Sequence, residues 1–563
     1  MDLPGPPGLS EEMRQAMKAV YAAVLLLLAG CAFAQPAAPD SITAGMVAAA
    51  ERLQGLSFTP AERDSMLDGL KGQLESLEQI RAFPLANSVT PALLFNPLPE
   101  GFIMPSGKAY CRIPRPKAVK KPADPADLAY LSIPQLAELL RTRQVTSTEL
   151  TLFYLERLKY YDPVLHCVIT LTTDRALREA ARADAEIAAG RYRGMLHGIP
   201  YGVKDLLSTA EYKTTWGSVP FREQWVPEDA TVIRKLEAAG AVLTAKLTMG
   251  ELAWGDVWFG GKTRNPWNPQ QGSSGSSAGS GAAVSAGLLP FAIGTETWGS
   301  IVSPATVCGV TGLRPTYGRV SRSGAMALSW SMDKIGCLCR TAEDAAIVLA
   351  AISGPDGCDQ TLYDVPFCYD SGTPLSALRI GYLQKDFAGA YPFHRNDSLA
   401  LAQLSALGAR LIPIELPRLP VNALAIILSA EAAAAFDELT RSNRDSLMVR
   451  QIKNAWPNDF RQSRFIPAVE YINANRIRHK LIQAMAKVME NVDCYLAPSD
   501  EGDNLLLTNL TGHPSITVPD GFSEDGTPTS ITVTGRLFDE GSIIAVAHAW
   551  QRATHHHLQR PPL

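Results

Sequence analysis

The chain has 563 residues, which is enough for three or four domains or for one large domain with additions. Apolar residues make up 46% and charged residues 19%, values that are typical of globular proteins and exclude a disordered chain or a fibrous repeat. The 52 basic and 56 acidic residues nearly balance, which excludes a broadly cationic surface that would bind nucleic acid or an anionic membrane.

The first element in chain order is a short apolar segment over residues 22–34. Basic residues precede it and Ala32-Phe33-Ala34 ends it, a pattern typical of a secretory signal peptide over residues 1–34. It is shorter than the roughly 20 apolar residues that span a bilayer, so no transmembrane span is expected in the mature chain. Leu28 to Cys31 also resembles a bacterial lipobox, in which Cys31 would carry a lipid anchor. Cleavage before Cys31 and cleavage before Gln35 both stay open, with Gln35 favoured, and both predict a periplasmic or cell-envelope protein.

Residues 36–125 are predicted to form a helical and proline-rich accessory segment. A capping box over Thr59 to Glu62, with proline at the first helical position, predicts a helix that begins at Pro60. Apolar residues then recur every three or four positions and form one stripe along this helix, at Met66, Leu70, Leu74 and Leu77. The chain is proline-rich from Ala82 to Pro125, which suits an extended segment, and no chemistry is visible in it.

From about Ala126, helix and strand signals alternate along the chain. Two further capping boxes begin at Ser132 and Thr146, and residues 199–203 form a short apolar run that ends at Lys204. A helical pattern over residues 231–239 is closed by a glycine and followed by a second apolar run. This alternation predicts an α/β architecture with helices on both faces of a sheet.

The most informative stretch is rich in glycine and serine. Gly272 to Gly287 reads GSSGSSAGSGAAVSAG, a composition that a flexible linker would share, but the run passes into a helical pattern and then into a strand at residues 291–293. A second glycine-bearing turn, Gly294 to Ala305, has Ser300 at its centre. No lysine follows the glycines as it would in a P-loop, so a phosphate site is not expected.

Three segments in this order resemble the amidase signature family. They are Gly202-Val203-Lys204-Asp205, Gly275 to Ser280, and Gly294 to Ile301, and further matching segments are Cys308 to Gly324, Arg340 to Ala346 and Thr511 to Phe522. The resemblance covers about residues 126–554, which leaves residues 555–563 as a tail. It implies a central mixed, twisted β-sheet covered by helices on both faces, preceded here by the accessory segment.

The resemblance also implies a Ser-Ser-Lys triad. Ser300 would attack an amide carbonyl, Ser276 would pass on its proton, and Lys204 would be the base. The family's spacing between the two serines fits Ser276 and does not fit Ser273, which is left as a loop residue. In the family the bridging serine follows a cis peptide bond, here between Gly275 and Ser276.

The chemistry of these residue types is consistent with those roles. A serine hydroxyl is a weak nucleophile and needs a neighbouring base. Lysine can act as that base only when neutral, so its pKa must fall from about 10.4 towards 7 through burial. A position at the end of an apolar strand predicts that Lys204 is buried.

The resemblance places the oxyanion hole in the turn that carries Ser300. Its donors would be four backbone N–H groups, those of Thr297, Trp298, Gly299 and Ser300, and the supporting residues would be Gly275, Ser277 and Asp205. Two residues depart from the family pattern. Trp298 replaces a glycine, and its indole is expected either to line the substrate pocket or to pack in the core. Val302 replaces an arginine that in relatives pairs with the acidic residue at Glu296.

Other chemistries have weaker support. None of the nine histidines carries a local signal for a Ser-His-Asp site, and no metal-binding motif occurs, so we expect no metal and no cofactor. The predicted function is therefore that of an exported serine hydrolase acting on a small-molecule amide, without nucleic acid. Two other functions stay open: the glutaminase subunit of a tRNA-dependent amidotransferase, and a catalytically silent scaffold. The amide itself and the oligomeric state cannot be derived from the sequence.

Overall fold

The computed structural model describes residues 42–82, 84–499 and 501–563. The predicted signal peptide, with Cys31 and Gln35, lies outside the described residues. Contacts divide the chain into two compact units, residues up to 85 and residues 86–563. Residues 86–125 therefore share a unit with the α/β body, and the boundary at 125, where the sequence pattern changes, stays a prediction.

The first unit contains two helices, α1 (Ala44–Leu53) and α2 (Pro60–Ala82). The predicted start of α2 at Pro60 is confirmed. Thr59 N donates to Glu62 Oε2 at 2.7 Å and Glu62 N donates to Thr59 Oγ1 at 3.3 Å, which completes the capping box. No residue of α2 is buried, so the predicted apolar stripe is not part of a core.

The second unit holds the remaining elements. Its helices are α3 (Pro125–Leu128), α4 (Ile133–Arg141), α5 (Ser147–Leu165), α6 (Thr173–Ala188), α7 (Thr231–Ala238), α8 (Ala278–Ser285), α9 (Val302–Cys308), α10 (Ala342–Ile352), α11 (Gln384–Phe387), α12 (His394–Ala406), α13 (Ile426–Ala435), α14 (Asp437–Arg441), α15 (Trp456–Ser463), α16 (Ala468–Met489), α17 (Asn504–Thr511) and α18 (Glu540–Thr554). Its strands are β1 (Tyr110–Arg112), β2 (Val168–Leu171), β3 (Pro200–Lys204), β4 (Val242–Leu247), β5 (Val257–Trp258), β6 (Gly261–Lys262), β7 (Arg264–Asn265), β8 (Asn268–Gly272), β9 (Phe291–Glu296), β10 (Thr311–Arg314), β11 (Lys334–Cys339), β12 (Cys368–Asp370), β13 (Ile380–Leu383), β14 (Leu411–Ile414), β15 (Cys494–Pro498), β16 (Ser515–Phe522) and β17 (Pro528–Gly535).

In this part of the chain the main sheet has 11 strands in the order β14-β13-β15-β17-β16-β10-β11-β9-β3-β4-β2. β3 is parallel to both β4 and β9, whereas β11 is antiparallel to β9 and β10. The sheet is therefore mixed, and helices flank it, as the sequence predicts. The capping boxes at Ser132 and Thr146 are both present and begin α4 and α5.

The strand register brings the predicted site residues to one edge of the sheet. Val203 of β3 lies opposite Ile293 of β9, so Lys204 ends its strand beside the turn that follows β9. Because β3 and β9 are parallel, their carboxyl ends lie at the same edge of the sheet. All of β3 and all of β9 are buried, which explains their apolar character.

Two further observations concern the cysteines and the helices as possible membrane spans. The eight cysteines among the described residues form no disulfide; five are buried, whereas Cys111 and Cys358 are exposed. None of the helices described here is long and apolar enough to cross a membrane.

Candidate active site

The structure brings Lys204, Ser276 and Ser300 into one line of contacts. Lys204 Nζ lies 2.7 Å from Ser276 Oγ, and Ser276 Oγ lies 2.9 Å from Ser300 Oγ. Both the serine–lysine and the serine–serine distances are those of hydrogen bonds. The three side chains predicted from separate segments therefore form a continuous path for a proton.

Thr295 sets the orientation of the lysine amine. Lys204 Nζ donates to Thr295 Oγ1 at 2.9 Å and makes a longer contact, 3.4 Å, with the Thr295 carbonyl oxygen. A neutral amine has two N–H groups and one lone pair. When Thr295 accepts both N–H groups, the lone pair is left to face Ser276, which is the geometry of a base.

Burial makes the neutral amine accessible near pH 7. Lys204 is completely buried, and no carboxylate lies within ion-pair distance of it in the part of the chain that the structure describes. Burial lowers the pKa of Lys204 from 10.5 to about 7, against the opposing influence of the negative charges on Asp333 and Glu296.

Backbone geometry fixes the bridging serine. The Gly275–Ser276 peptide bond is cis, as the family pattern predicts. A Cβ at position 275 would lie 1.8 Å from the Gly255 carbonyl oxygen, so only glycine fits there. Ser277, the next residue, accepts from Thr295 N and donates to Thr295 O, both at 3.1 Å, and so holds the residue that orients Lys204.

The turn after β9 presents unused donors. Its four backbone N–H groups, at Thr297, Trp298, Gly299 and Ser300, have no hydrogen-bond partner among the described residues. Gly299 has a φ of 86°, a conformation that favours glycine. Unpaired N–H groups beside a nucleophile can donate to a developing oxyanion.

The Trp298 side chain is 43% exposed. The alternative in which the indole packs in the core is therefore wrong. The other alternative, contact with the acyl group of a substrate, stays a prediction.

A buried ion pair between Glu296 and Arg314 stabilises the turn that carries Ser300. Glu296 Oε2 accepts from Ile301 N at 2.8 Å and from Val302 N at 3.0 Å, directly after Ser300. Arg314 Nη1 donates to Glu296 Oε1 at 2.6 Å. Burial opposes ionisation of Glu296, but the Arg314 charge and these donors hold its pKa at about 2. The sequence analysis did not identify Arg314. Arg314 supplies the positive charge beside Glu296 that an arginine at position 302 supplies in relatives.

Asp205 has a role in the structure of the site. Asp205 is fully buried and forms an ion pair with Lys246, with Nζ and Oδ1 2.9 Å apart. Its other oxygen accepts from Thr215 N at 2.8 Å. The residue after Lys204 therefore anchors the end of β3 to β4 and to the following loop.

A cavity of about 530 Å³ reaches the site at Thr295 and Thr297, and its lining does not include Lys204, Ser276, Ser300 or Trp298. Thr295 and Thr297 form part of its wall, and Leu206, Trp216, Met326 and Leu328 add apolar surface to it. The volume lies within the range of small-molecule sites.

No group of three or more His, Cys, Asp or Glu residues among those described could hold a metal ion.

Comparisons with known proteins agree with this geometry. The family model described as Amidase matches residues 149–505. A glutamyl-tRNA(Gln) amidotransferase subunit of Thermosynechococcus vestitus is 35% identical over 479 residues, which cover 77% of this chain and 99% of that protein.

Solved structures give the same result. Native peptide amidase from Stenotrophomonas maltophilia is 32% identical with a TM-score of 0.68, covering 77% of this chain and 99% of that one. A glutamyl-tRNA(Gln) amidotransferase subunit from Thermotoga maritima is 28% identical with a TM-score of 0.63, covering 77% of this chain and 96% of that one. With its fold, its segments and these relatives in agreement, the chain belongs to the amidase signature family.

Proposed function

We propose that the protein hydrolyses a carboxamide to a carboxylic acid and ammonia or an amine, through an acyl-enzyme on Ser300. The observation that carries this proposal is the orientation of Lys204. Thr295 accepts from the amine at Oγ1 and at the carbonyl oxygen, burial favours the neutral form, and the lone pair of the neutral amine would then face Ser276 Oγ, 2.7 Å away. This arrangement suits a base and has no need of a histidine.

In the proposed reaction, Ser300 Oγ bonds to the carbonyl carbon while its proton passes to Ser276 and the Ser276 proton passes to Lys204. The carbonyl oxygen becomes negative and accepts from the N–H groups of residues 297–300. The C–N bond then breaks, and the proton returns from Lys204 through Ser276 to the leaving nitrogen. A water molecule attacks the resulting ester with the same proton path, which releases the acid and restores Ser300.

The test combines a covalent label with a panel of amides. A serine-directed phosphonofluoridate is expected to modify Ser300, seen by peptide mass spectrometry, and at least one amide is expected to release free acid. Ser300→Ala should lose both properties. Ser303→Ala, in the first turn of α9 three residues after Ser300, is the matched control and should keep both. A wild-type protein that is neither labelled nor active would instead support the catalytically silent scaffold.

A second candidate function is favoured by the relatives named as amidotransferase subunits. In that case the amide would be glutamine, and the ammonia would displace phosphate from a glutamyl-tRNA whose side-chain carboxylate partner subunits had first phosphorylated with a nucleoside triphosphate. Incubation with glutamine, glutamyl-tRNA, ATP and a lysate of the source cells would then form glutaminyl-tRNA. Amide hydrolysis that needs no partner or tRNA supports the first proposal.

We also propose that the protein is exported, because its first 34 residues have the pattern of a signal peptide. N-terminal sequencing of the protein from the cell envelope is expected to begin at Gln35, or at an acylated Cys31. An unprocessed N-terminus on a cytoplasmic protein would contradict export and favour the amidotransferase.

A further inference from the structure

A segment that precedes the family match covers one side of the cavity beside Thr295. Residues 88–94, here called the strap, lie in the second unit, well before residue 149, where the match to the family begins. Five of the strap residues line the cavity: Ser88, Thr90, Pro91, Leu93 and Leu94. The wall of the cavity is therefore built partly from sequence that the family match does not include.

The strap is held firmly at both ends. At its start, Asn87 Nδ2 donates to Ala327 O at 2.9 Å and Ala327 N donates to Asn87 Oδ1 at 2.8 Å. At its end, Arg478 Cζ lies over the Phe95 ring, 3.5 Å from the ring centroid. The Phe95 and Tyr317 rings make a T-shaped contact with their centroids 5.0 Å apart. Both anchors lie in the α/β body, so the strap spans a fixed gap.

Between these anchors the strap has few contacts of its own. Residues 90–94 make no hydrogen bond within the described part of the chain. Their apolar side chains are open to solvent, with Leu93 83% and Leu94 48% exposed. Exposed leucines at the rim of a cavity are surface that a bound apolar group would cover.

Four of the five charged side chains of the cavity wall are occupied by other protein groups, whereas Glu228 has no ion pair or hydrogen bond among the described residues. Arg322 forms an ion pair with Asp359 at 3.1 Å. Asp333 accepts from Thr297 Oγ1 at 2.6 Å and from two backbone N–H groups. Lys334 donates to Met332 O, and burial holds its pKa well below the usual range. Apart from Glu228, the side chains left for a ligand are uncharged, and the apolar ones among them are Leu206, Trp216, Met326, Leu328 and the strap leucines.

We propose that the strap forms one wall of the substrate pocket and that it selects amides carrying a large, uncharged apolar substituent. This inference rests on the proposed function, because the cavity is taken to hold the group attached to the reacting amide. Leu93 and Leu94 are the specificity-determining residues, and Asn87 positions them.

The test measures how fast Ser300 is labelled by three phosphonofluoridates. One reagent carries only small substituents, a second has a decyl chain on phosphorus, and a third has the decyl chain on the ester oxygen, so that both sides of the reacting centre are sampled. The wild-type protein is expected to prefer at least one decyl reagent over the small one. The double variant Leu93→Ala/Leu94→Ala is expected to lower that rate ratio by about tenfold, the size of a lost apolar pocket contact.

Two further variants test the anchor of the strap and provide a matched control. Asn87→Ala, which frees one end of the strap, should lower the same ratio. Leu399→Ala/Leu407→Ala is the matched control, because these leucines of α12 and its end are 52% and 43% exposed and lie outside the cavity wall, and it should leave the ratio unchanged.

The outcomes separate this inference from the proposed function. If Ser300 is labelled and the ratio is the same in the wild type, the strap variants and the control, the strap inference is wrong while the proposed function stands. If no reagent labels Ser300 in the wild type, the proposed function fails and the strap inference fails with it.

Discussion

Two neighbouring strands each bury a lysine, and the two lysines differ in one respect. Lys246 in β4 is paired with the carboxylate of Asp205 at 2.9 Å. Lys204 at the end of β3 contacts only hydroxyl and carbonyl oxygens, from Ser276 and Thr295. Both side chains are fully buried, and burial lowers the pKa of both.

Under the proposed function, this difference gives the same residue type two roles in one fold. A carboxylate partner favours the charged amine and makes Lys246 a structural cation. Hydroxyl partners leave the cost of burying a charge uncompensated, so Lys204 loses its proton near pH 7 and can act as a base.

The largest effect is expected from Lys204→Met. The variant keeps the volume of the side chain and removes the base, so kcat/KM for a hydrolysed amide should fall by about 10²–10⁴-fold. The free energy of unfolding, from urea denaturation, should not fall by more than about 1.5 kcal/mol, because an apolar side chain replaces a buried amine. Near-normal activity of Lys204→Met would show that another group is the base.

For Lys246→Met, we expect the main effect to be on stability and not on catalysis. This variant leaves the buried Asp205 carboxylate without its cation, and the free energy of unfolding should fall by about 3–5 kcal/mol. Lys213→Met is the control, because the Lys213 side chain is 46% exposed and its loss should cost less than about 1 kcal/mol. An equal, small loss of stability in both variants would remove the structural role assigned to Lys246.

Asp333→Asn tests how a nearby charge affects the pKa of Lys204, because it removes a negative charge that favours the protonated amine. The pKa of Lys204 should therefore fall further, and the midpoint of the pH–activity curve should move to lower pH by up to about one pH unit. A midpoint that moves to higher pH would contradict this sign.

The smallest effect on stability is expected from Trp298→Ala. Because the indole is 43% exposed, the free energy of unfolding should change by less than about 0.5 kcal/mol. The backbone N–H stays in place, so any change should appear in acyl preference, by about tenfold in relative kcat/KM if the indole contacts the acyl group. A large loss of stability with unchanged preference would argue for a packing role.

The sequence was sufficient for the parts of the site that lie within contiguous motifs. Lys204, Ser276 and Ser300 each stand in a segment with its own pattern, and the strands and capping boxes around them follow from local periodicity and end signals. The triad could therefore be assembled before any geometry was known, through the resemblance to the family.

The parts that could not be predicted depend on the order of strands in the sheet. Arg314 reaches Glu296 because β10 and β9 lie on either side of β11, an arrangement that local sequence does not encode. The contact between Asn87 and Ala327 joins residues 240 positions apart. The ion pair between Asp205 and Lys246 likewise depends on the pairing of β3 with β4.

The central claim is that Lys204 is the base and titrates near neutrality. The most direct test measures the rate of Ser300 labelling by the small phosphonofluoridate from pH 5 to pH 10, in the wild type and in Lys204→Met. Below its pKa, Lys204 is protonated and cannot accept a proton, so the wild-type rate should rise tenfold per pH unit and level off above a midpoint at about 7. Lys204→Met should be slow and show no such midpoint. A wild-type midpoint near 10, or the same midpoint in both proteins, would contradict the account.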